Sequence, residues 1–390
     1  MKFPTQQLAQ DIRSTLRAKS QEFVALHAPM FGANANKYLA DCVDTGWVSS
    51  LGKYVDQFER SLEERTGAKH AIAVCNGTAA LQVALQIAGV QAGDEVLLPS
   101  LTFVASANAI KYCQAEPHFV DIEETSLGID CSRMAEYLSN ICEMENGICI
   151  NKKTGRRIRA LLTLYAFGHP YDIEGAKQVC DQFNLHLIED AAEAIGTLVN
   201  GRHAGTFGTL GTLSFNGNKT ITTGGGGAIL TDDSELAANA KHITTTAKVP
   251  HGFLYEHDQV GFNYRMPNIN AALGVSQLED LTALLDSKRK LAERFISMGQ
   301  SWTEFEILQE PENCKSNYWL NNLILRPDLA DQRDSILTEL NQEHGVQARA
   351  VWNPMHTLPM YTECERMPLN VTEDLAQRII SLPSSPYLEH

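Results

Sequence analysis

The chain has 390 residues, 47 of them acidic and 32 basic, which gives a formal net charge of −15. Binding to nucleic acid over a broad surface needs a basic face, so this charge argues against a nucleic-acid partner. No apolar run approaches the roughly 20 residues that cross a bilayer, so no membrane segment is expected.

The first predicted element is an amphipathic helix over residues 1 to about 27. Leu8, Ile12 and Leu16 lie at helical spacing, and Phe23 and Leu26 continue the pattern. We interpret residues 1–30 as a helical packing arm. A second helix over residues 37–44 is followed by a turn of small residues that carries one aromatic side chain, Trp47, which either packs internally or borders a cleft.

Short apolar strands then alternate with helices, beginning with the strand at residues 71–74. This alternation predicts an α/β fold whose sheet is mainly parallel, with right-handed crossovers. The first strand runs into Asn76-Gly-Thr and a helix, which places free backbone N–H groups where an anion can bind. A helix start with a purely structural cap fits the same pattern.

The next strand, residues 94–99, is followed by Phe103, which can lie flat against a planar ring or belong to the core. Residues 142–159 predict an exposed hairpin. The strand after it ends near His169, which either orients a substrate or occupies a turn.

The apolar strand at residues 187–190 ends in Glu189-Asp190, and acids at such a strand end face the ligand crevice of α/β proteins. Lys219 lies between the β-type run 212–215 and the four glycines 224–227, on a tight connection where side chains project into clefts. A desolvated lysine there suits condensation with a carbonyl group.

Three runs, Glu189-Asp-Ala-Ala-Glu193, Ser214-Phe-Asn-Gly-Asn-Lys219 and Gly224-Gly-Gly-Gly-Ala228, resemble the DegT/DnrJ/EryC1/StrS sugar aminotransferases. The resemblance implies fold-type I, with a mainly parallel seven-stranded-type sheet in a large domain and a smaller α+β C-terminal domain. It implies pyridoxal 5′-phosphate (PLP) as cofactor, with pyridoxamine 5′-phosphate as its other form, and no metal.

The resemblance also implies roles for individual residues. Lys219 is the Schiff-base lysine, Asp190 pairs with the pyridine nitrogen, Glu193 bonds the ring hydroxyl and Ser214 binds phosphate. The remaining cofactor contacts fall on Gly77, Thr78, Ala79, the stacking Phe103 and Asn263.

Asn263 belongs to a motif that crosses a dimer interface in the family, so the resemblance implies a homodimer with composite sites. Substrate contacts are expected from Trp47, His169, Arg349 and His356. Arg349 fits a substrate anion, and a structural salt bridge fits it equally well. The expected domains are 1–30, the large PLP-binding domain 31–265, and the linking helix with the small domain 266–390.

By resemblance, L-glutamate donates an amino group to an oxidised sugar for a bacterial lipopolysaccharide or other surface glycan. The expected subgroup is LegC-like or 8-amino-Kdo-forming, so the acceptor is a UDP-4-keto-6-deoxy-N-acetylhexosamine or 8-oxo-Kdo. Two alternatives stay open: a catalytically silent binding or regulatory protein, and a PLP-dependent sugar dehydratase. Nine cysteines without a Cys-x-x-Cys pair, and no signal peptide, indicate a cytoplasmic protein.

Overall fold

The computed structural model describes residues 3–18 and 23–389. The α-helices in these ranges are α1 Thr5–Thr15, α2 Asn34–Thr45, α3 Lys53–Thr66, α4 Gly77–Ile87, α5 Val104–Tyr112, α6 Cys131–Ile141, α7 Ile173–Phe183, α8 Ser234–Thr244, α9 Asn268–Gly299, α10 Arg333–Gln342 and α11 Asn370–Leu375. The first nine strands are β1 His70–Val74, β2 Glu95–Pro99, β3 Glu116–Val120, β4 Cys142–Glu145, β5 Ile148–Asn151, β6 Arg157–Leu164, β7 His186–Asp190, β8 Leu198–Val199 and β9 Arg202–His203. The others are β10 Leu210–Ser214, β11 Gly227–Thr231, β12 Lys248–Val249, β13 Glu256–His257, β14 Phe305–Ile307, β15 Cys314–Lys315, β16 Asn321–Leu325, β17 Arg349–Ala350 and β18 Ile379–Leu382.

A large mixed sheet forms the centre of the molecule. Its main strands follow the order β1-β11-β10-β7-β6-β2-β3, and the hairpin β4-β5 joins it along β6. The pairs from β10 to β3 are parallel, whereas β11 is antiparallel to both of its neighbours. The predicted α/β class and mainly parallel sheet are confirmed.

The helices between the strands cover the sheet because their apolar stripes need burial. Helix α7, Ile173–Phe183, is one of them. Its start is fixed by Asp172, whose side chain accepts the Gly175 N–H at 3.0 Å, and its end by Asn184 in the left-handed conformation at φ 52°. The parallel strands therefore end along one common edge.

A second, antiparallel sheet lies in the C-terminal part of the chain, in the order β14-β16-β18-β17. Its core also contains Leu8 and Ile12 of α1, together with Leu291 and Phe295 of the long helix α9. The amphipathic pattern of the first helix thus predicted a real packing face, and that face lies against the smaller sheet.

The predicted single helix over residues 1 to about 27 is wrong in its second half. Helix α1 ends at Thr15, residues 1, 2 and 19–22 lie outside the described residues, and Phe23 is exposed. Val24 is extended, since its backbone pairs with Gly345 and Gln347 at 2.9 Å each. These hydrogen bonds to a distant segment override the local helical spacing.

The predicted hairpin is observed as β4 and β5, and its turn is Asn146-Gly147. Both turn residues have positive φ, which is the conformation that a tight hairpin favours. Within the described residues, no helix is both long and apolar enough to cross a membrane.

Candidate active site

A cavity of about 610 Å³ opens at the edge where the parallel strands end. This volume lies within the usual range for small-molecule sites, roughly 300–1,000 Å³. We call it the Lys219 cavity. Eight of the residues predicted from the sequence line it, namely Gly77, Thr78, Phe103, Asp190, Glu193, Ser214, Lys219 and Arg349.

Lys219 is held on the connection between β10 and β11, and its side chain is only 12% exposed. Its Nζ lies 3.1 Å from Glu193 Oε1 and 3.9 Å from the centre of the Trp319 ring. The Trp319 indole is itself fixed, because its Nε1 donates to the Asn218 carbonyl at 2.7 Å. The amine is therefore largely desolvated and kept beside an aromatic face and a carboxylate.

Two buried carboxyl groups face this amine. Asp190, the last residue of β7, accepts hydrogen bonds from Ser106 Oγ at 2.7 Å and from the Ala192 N–H at 3.1 Å. Burial raises its pKa, and these two bonds and the Lys219 charge oppose that rise.

Glu193 lies one turn beyond the strand end. Its Oε2 accepts the Phe167 N–H at 2.9 Å. Burial raises the pKa of Glu193 to about 7, against the opposing charge of Lys219. The site thus contains two buried carboxyl groups, Asp190 and Glu193, that can stabilise a positive charge in the cavity.

An anion cradle is formed by the start of α4 and the end of β10. Asn76 caps the helix by accepting the Ala79 N–H at 2.8 Å, which leaves the N–H groups of Gly77 and Thr78 in the uncompensated first turn. A Cβ at Gly77 would come 2.9 Å from the Cβ of Ser214. The cradle therefore has room for backbone only. Ala79 does not line the cavity, since its N–H is used by the cap and its side chain is buried.

Aromatic side chains form the opposite wall. Phe167 stacks on Trp352 with ring centres 4.9 Å apart, and on Trp319 at 6.4 Å. Phe167 holds a left-handed backbone at φ 56°, which its N–H bond to Glu193 supports. Phe103 is 50% exposed at the start of α5, so its ring remains available for stacking.

Two of the predicted substrate residues lie outside the Lys219 cavity. His169 is buried, its Nδ1 is paired with Ser316 Oγ at 2.9 Å, and burial lowers its pKa to about 4. His356 is buried between Ser100 Oγ at 2.8 Å and Glu373 at 3.2 Å. Both side chains join separate segments of the chain, so in this subunit they support the architecture around the site.

Trp47 and Asn263 are also outside the Lys219 cavity. Trp47 is 58% exposed and lines a second, larger cavity of about 1240 Å³, the Trp47 cavity. Asn263 is exposed, and its Oδ1 accepts hydrogen bonds from Arg265 at 3.0 and 3.3 Å. The substrate contact of Trp47 and the role of Asn263 across a dimer interface both remain predictions.

Several cavity residues were not predicted from the sequence. Trp319 and His27 line the cavity, and His27 fell within the predicted N-terminal helix. The strand predicted to end near His169 does end there, but Phe167 lines the cavity and His169 does not. No local pattern identifies His27 or Trp319, because long-range contacts bring both residues to the cavity.

The chain is similar to known proteins over nearly its whole length. It is 38% identical over 366 residues to GDP-perosamine synthase of Vibrio cholerae, covering 94% of this chain and 95% of that protein. It is 33% identical over 365 residues to EpsN of Bacillus subtilis, which its name assigns to the pyridoxal phosphate-dependent aminotransferases, covering 93% and 90%. A solved structure of a DegT DnrJ EryC1 StrS aminotransferase from Brucella abortus superposes with a TM-score of 0.82 at 28% identity, covering 91% of each chain.

Fold and site together define a PLP-dependent aminotransferase of fold-type I. The family model described as the DegT/DnrJ/EryC1/StrS aminotransferase family matches residues 29–390, and the chain belongs to this family. Its enzyme class and its PLP dependence are thereby established. The open alternative of a silent binding protein is set aside.

The residues in the cavity fit PLP. A largely desolvated amine, the buried Asp190 carboxyl group, which accepts hydrogen bonds from Ser106 and Ala192, and an anion cradle that a Cβ would fill lie around one cavity. These are the three groups that an aldehyde, a pyridinium nitrogen and a phosphate require.

Proposed function

We propose that this enzyme moves the amino group of L-glutamate onto the keto or aldehyde carbon of an oxidised sugar that carries an anionic group, for a bacterial surface glycan. The observation that carries the proposal is the placement of Lys219 Nζ 3.1 Å from Glu193 on the wall of a cavity that also contains Asp190. When bound, PLP supplies an electron sink for the carbon that exchanges its amino group.

In this proposal the residues of the chain divide the work. Lys219 Nζ would hold the cofactor and would carry the proton on and off the reacting carbon, because it is the amine on the cavity wall. Asp190 keeps a proton on the ring nitrogen, since a buried carboxylate is stabilised by an adjacent positive charge. Gly77, Thr78 and Ser214 bind the phosphate, and Glu193 bonds the ring hydroxyl and orients Lys219.

Arg349 is the proposed contact of the acceptor's anionic group. It projects from β17 at the cavity wall, and within residues 3–18 and 23–389 it makes no ion pair with a carboxylate. A guanidinium can bind a carboxylate or a phosphate through two parallel hydrogen bonds. Three acceptor classes fit this requirement: a UDP-4-keto-6-deoxy-N-acetylhexosamine, 8-oxo-Kdo, and the keto precursor of GDP-perosamine, the last suggested by the name of the Vibrio cholerae relative.

The test is nitrogen transfer from isotope-labelled L-glutamate. Purified enzyme with added PLP is incubated with each acceptor, and the sugar product is analysed by mass spectrometry. We expect labelled amino sugar with one of the three acceptors, and no product from the Lys219→Ala variant under the same conditions. Loss of water from an acceptor without gain of labelled nitrogen would instead establish the dehydratase reaction. Absence of any product with all three acceptors would overturn the acceptor assignment.

A further inference from the structure

The N-terminal segment delivers a histidine, His27, to the Lys219 cavity. Three hydrogen bonds of its neighbours fix this position. The Leu26 N–H donates to Gln347 Oε1 at 2.9 Å, the Leu26 carbonyl accepts the Ser384 N–H at 2.8 Å, and the Ala28 N–H donates to Ser385 Oγ at 2.8 Å. Residue 27 is therefore held firmly by the C-terminal part of the chain.

Both ring nitrogens of His27 are buried and have no hydrogen-bond partner. Other buried side-chain atoms in residues 3–18 and 23–389 share this property, but among the residues that carry them His27 is the one that lines the Lys219 cavity. Buried polar groups are nearly always satisfied, so an unsatisfied pair on a cavity wall indicates a missing ligand.

The surroundings keep the imidazole neutral. Burial, then the charge of Lys288, then that of Lys219 hold the pKa of His27 well below its ordinary value. A neutral imidazole offers one N–H donor and one lone pair. A sugar hydroxyl can donate or accept and so matches either nitrogen, whereas a carboxylate is matched better by the guanidinium of Arg349 on the same cavity.

We propose that His27 binds a hydroxyl group of the acceptor sugar and thereby helps to select the acceptor, with no part in the reaction of L-glutamate. This inference rests on the proposed function, because it assigns the ring to the second of the two substrates that share the cavity. It gives the N-terminal segment a direct contact with substrate in addition to its packing role.

The test compares two variants in the two half-reactions. His27→Phe keeps an aromatic ring and removes both nitrogens, and His27→Gln restores a donor and an acceptor on a side chain of similar reach. For His27→Phe we expect an unchanged rate of cofactor conversion by L-glutamate, within about twofold. We expect a rise of about threefold to tenfold in KM for the acceptor that the labelled-glutamate assay identifies, since a lost hydrogen bond to a substrate is worth up to about tenfold. The Gln variant should recover most of that loss.

A direct binding readout accompanies the kinetics. In protein with selectively labelled histidine, the ring-nitrogen resonance of His27 is assigned as the one that is missing from the spectrum of His27→Phe. This resonance should shift when the acceptor is added to the pyridoxamine phosphate form, and it should stay in place when L-glutamate is added to the same form. Equal loss in both half-reactions, an unchanged KM for the acceptor, or a resonance that moves with glutamate would overturn the role of His27. Failure of the wild-type enzyme with every acceptor would instead count against the proposed function.

Discussion

At the scale of single residues, the site depends on groups whose charge is costly in a dry cavity. Glu193 shows this most clearly, because it is buried, its Oε1 lies 3.1 Å from Lys219 Nζ and its pKa is raised to about 7. A carboxyl group whose pKa is higher in the folded state binds a proton that the unfolded chain has released. Glu193 therefore couples the stability of the cofactor-free protein to pH.

The sign of this coupling gives a prediction for Glu193→Gln. Between pH about 4.5 and about 7 the folded state holds the extra proton, so the contribution of Glu193 to the free energy of unfolding falls as pH rises through this window, by up to about 3 kcal/mol. Glutamine does not titrate. We therefore expect a flatter dependence on pH for the variant in urea unfolding of the cofactor-free protein at pH 5, 6 and 7.

Glu189 and Asp190 also have raised pKa values, but they are present in both proteins and largely cancel in the comparison. Parallel pH dependences for the wild type and the variant would show that Glu193 is ionised across the whole window.

The proposed cofactor-binding residues could be predicted from the sequence, whereas other residues that line the cavity could not. Asp190, Glu193 and Lys219 belong to contiguous runs, each next to a strand end, so short-range pattern and resemblance identified them, and the structure brings all three to one cavity. His27 and Trp319 gave no such signal. Their positions depend on contacts with Ser384, Ser385 and Asn218, which are far away in sequence.

At the scale of elements, the anion cradle depends on the close approach of β11 to the start of α4. A Cβ at Gly227 would lie 2.5 Å from the Asn76 carbonyl carbon and 2.7 Å from the Gly77 nitrogen. Both are backbone atoms, which cannot rotate away. The glycine at this position therefore sets where the first turn of α4 lies.

We expect Gly227→Ala to displace that turn and to weaken PLP binding by at least about fivefold, because overpacking of this kind costs roughly 1–3 kcal/mol. PLP titration followed by absorbance measures the affinity. Gly217→Ala is the matched control, since a Cβ there would meet nothing within 4 Å and its φ is not positive. Equal PLP affinity in Gly227→Ala and wild type would show that the cradle does not depend on this approach.

Element boundaries were predictable where local chemistry sets them. The linking helix expected within residues 266–390 is observed as α9, Asn268–Gly299, and the caps Asp172 and Asn184 set the ends of α7. The N-terminal helix was predicted too long. Residues 23–28 have apolar side chains that suit a helix, but their backbone groups bond to residues 345–347 and 384–385 instead.

At the scale of the whole molecule, alternating strands and helices predicted the mainly parallel sheet. The antiparallel direction of β11 was not predicted, since nothing in residues 227–231 distinguishes the two directions.

Large apolar side chains are exposed on the surface around the Trp47 cavity. Leu51 lines this cavity and is 66% exposed, and the neighbouring Phe253 and Tyr255, which pack against the lining residues His251 and Lys248, are 85% and 83% exposed. Such a patch is typical of a protein interface.

We propose that this surface forms the predicted homodimer, with Asn263 close to it. Replacement of both Phe253 and Tyr255 by aspartate should convert a dimer to a monomer in sedimentation velocity, because two buried charges without partners disfavour an interface. Met360→Asp, which changes an exposed apolar residue in the C-terminal part of the chain, away from the 248–255 segment, should stay dimeric. A dimeric double variant, or a monomeric wild type at every concentration, would contradict the assignment of this surface.

The most direct test of the account is to locate the lysine that holds the cofactor. The PLP-loaded protein is reduced with borohydride and digested, and the modified peptide is identified by mass spectrometry. We predict a reduced pyridoxyl phosphate group on Lys219 and none on the fully buried Lys288, which is held by the Trp319 carbonyl at 3.1 Å and the Ser384 carbonyl at 2.7 Å. Modification of a different lysine, or the same modification in the Lys219→Ala variant, would contradict the central assignment.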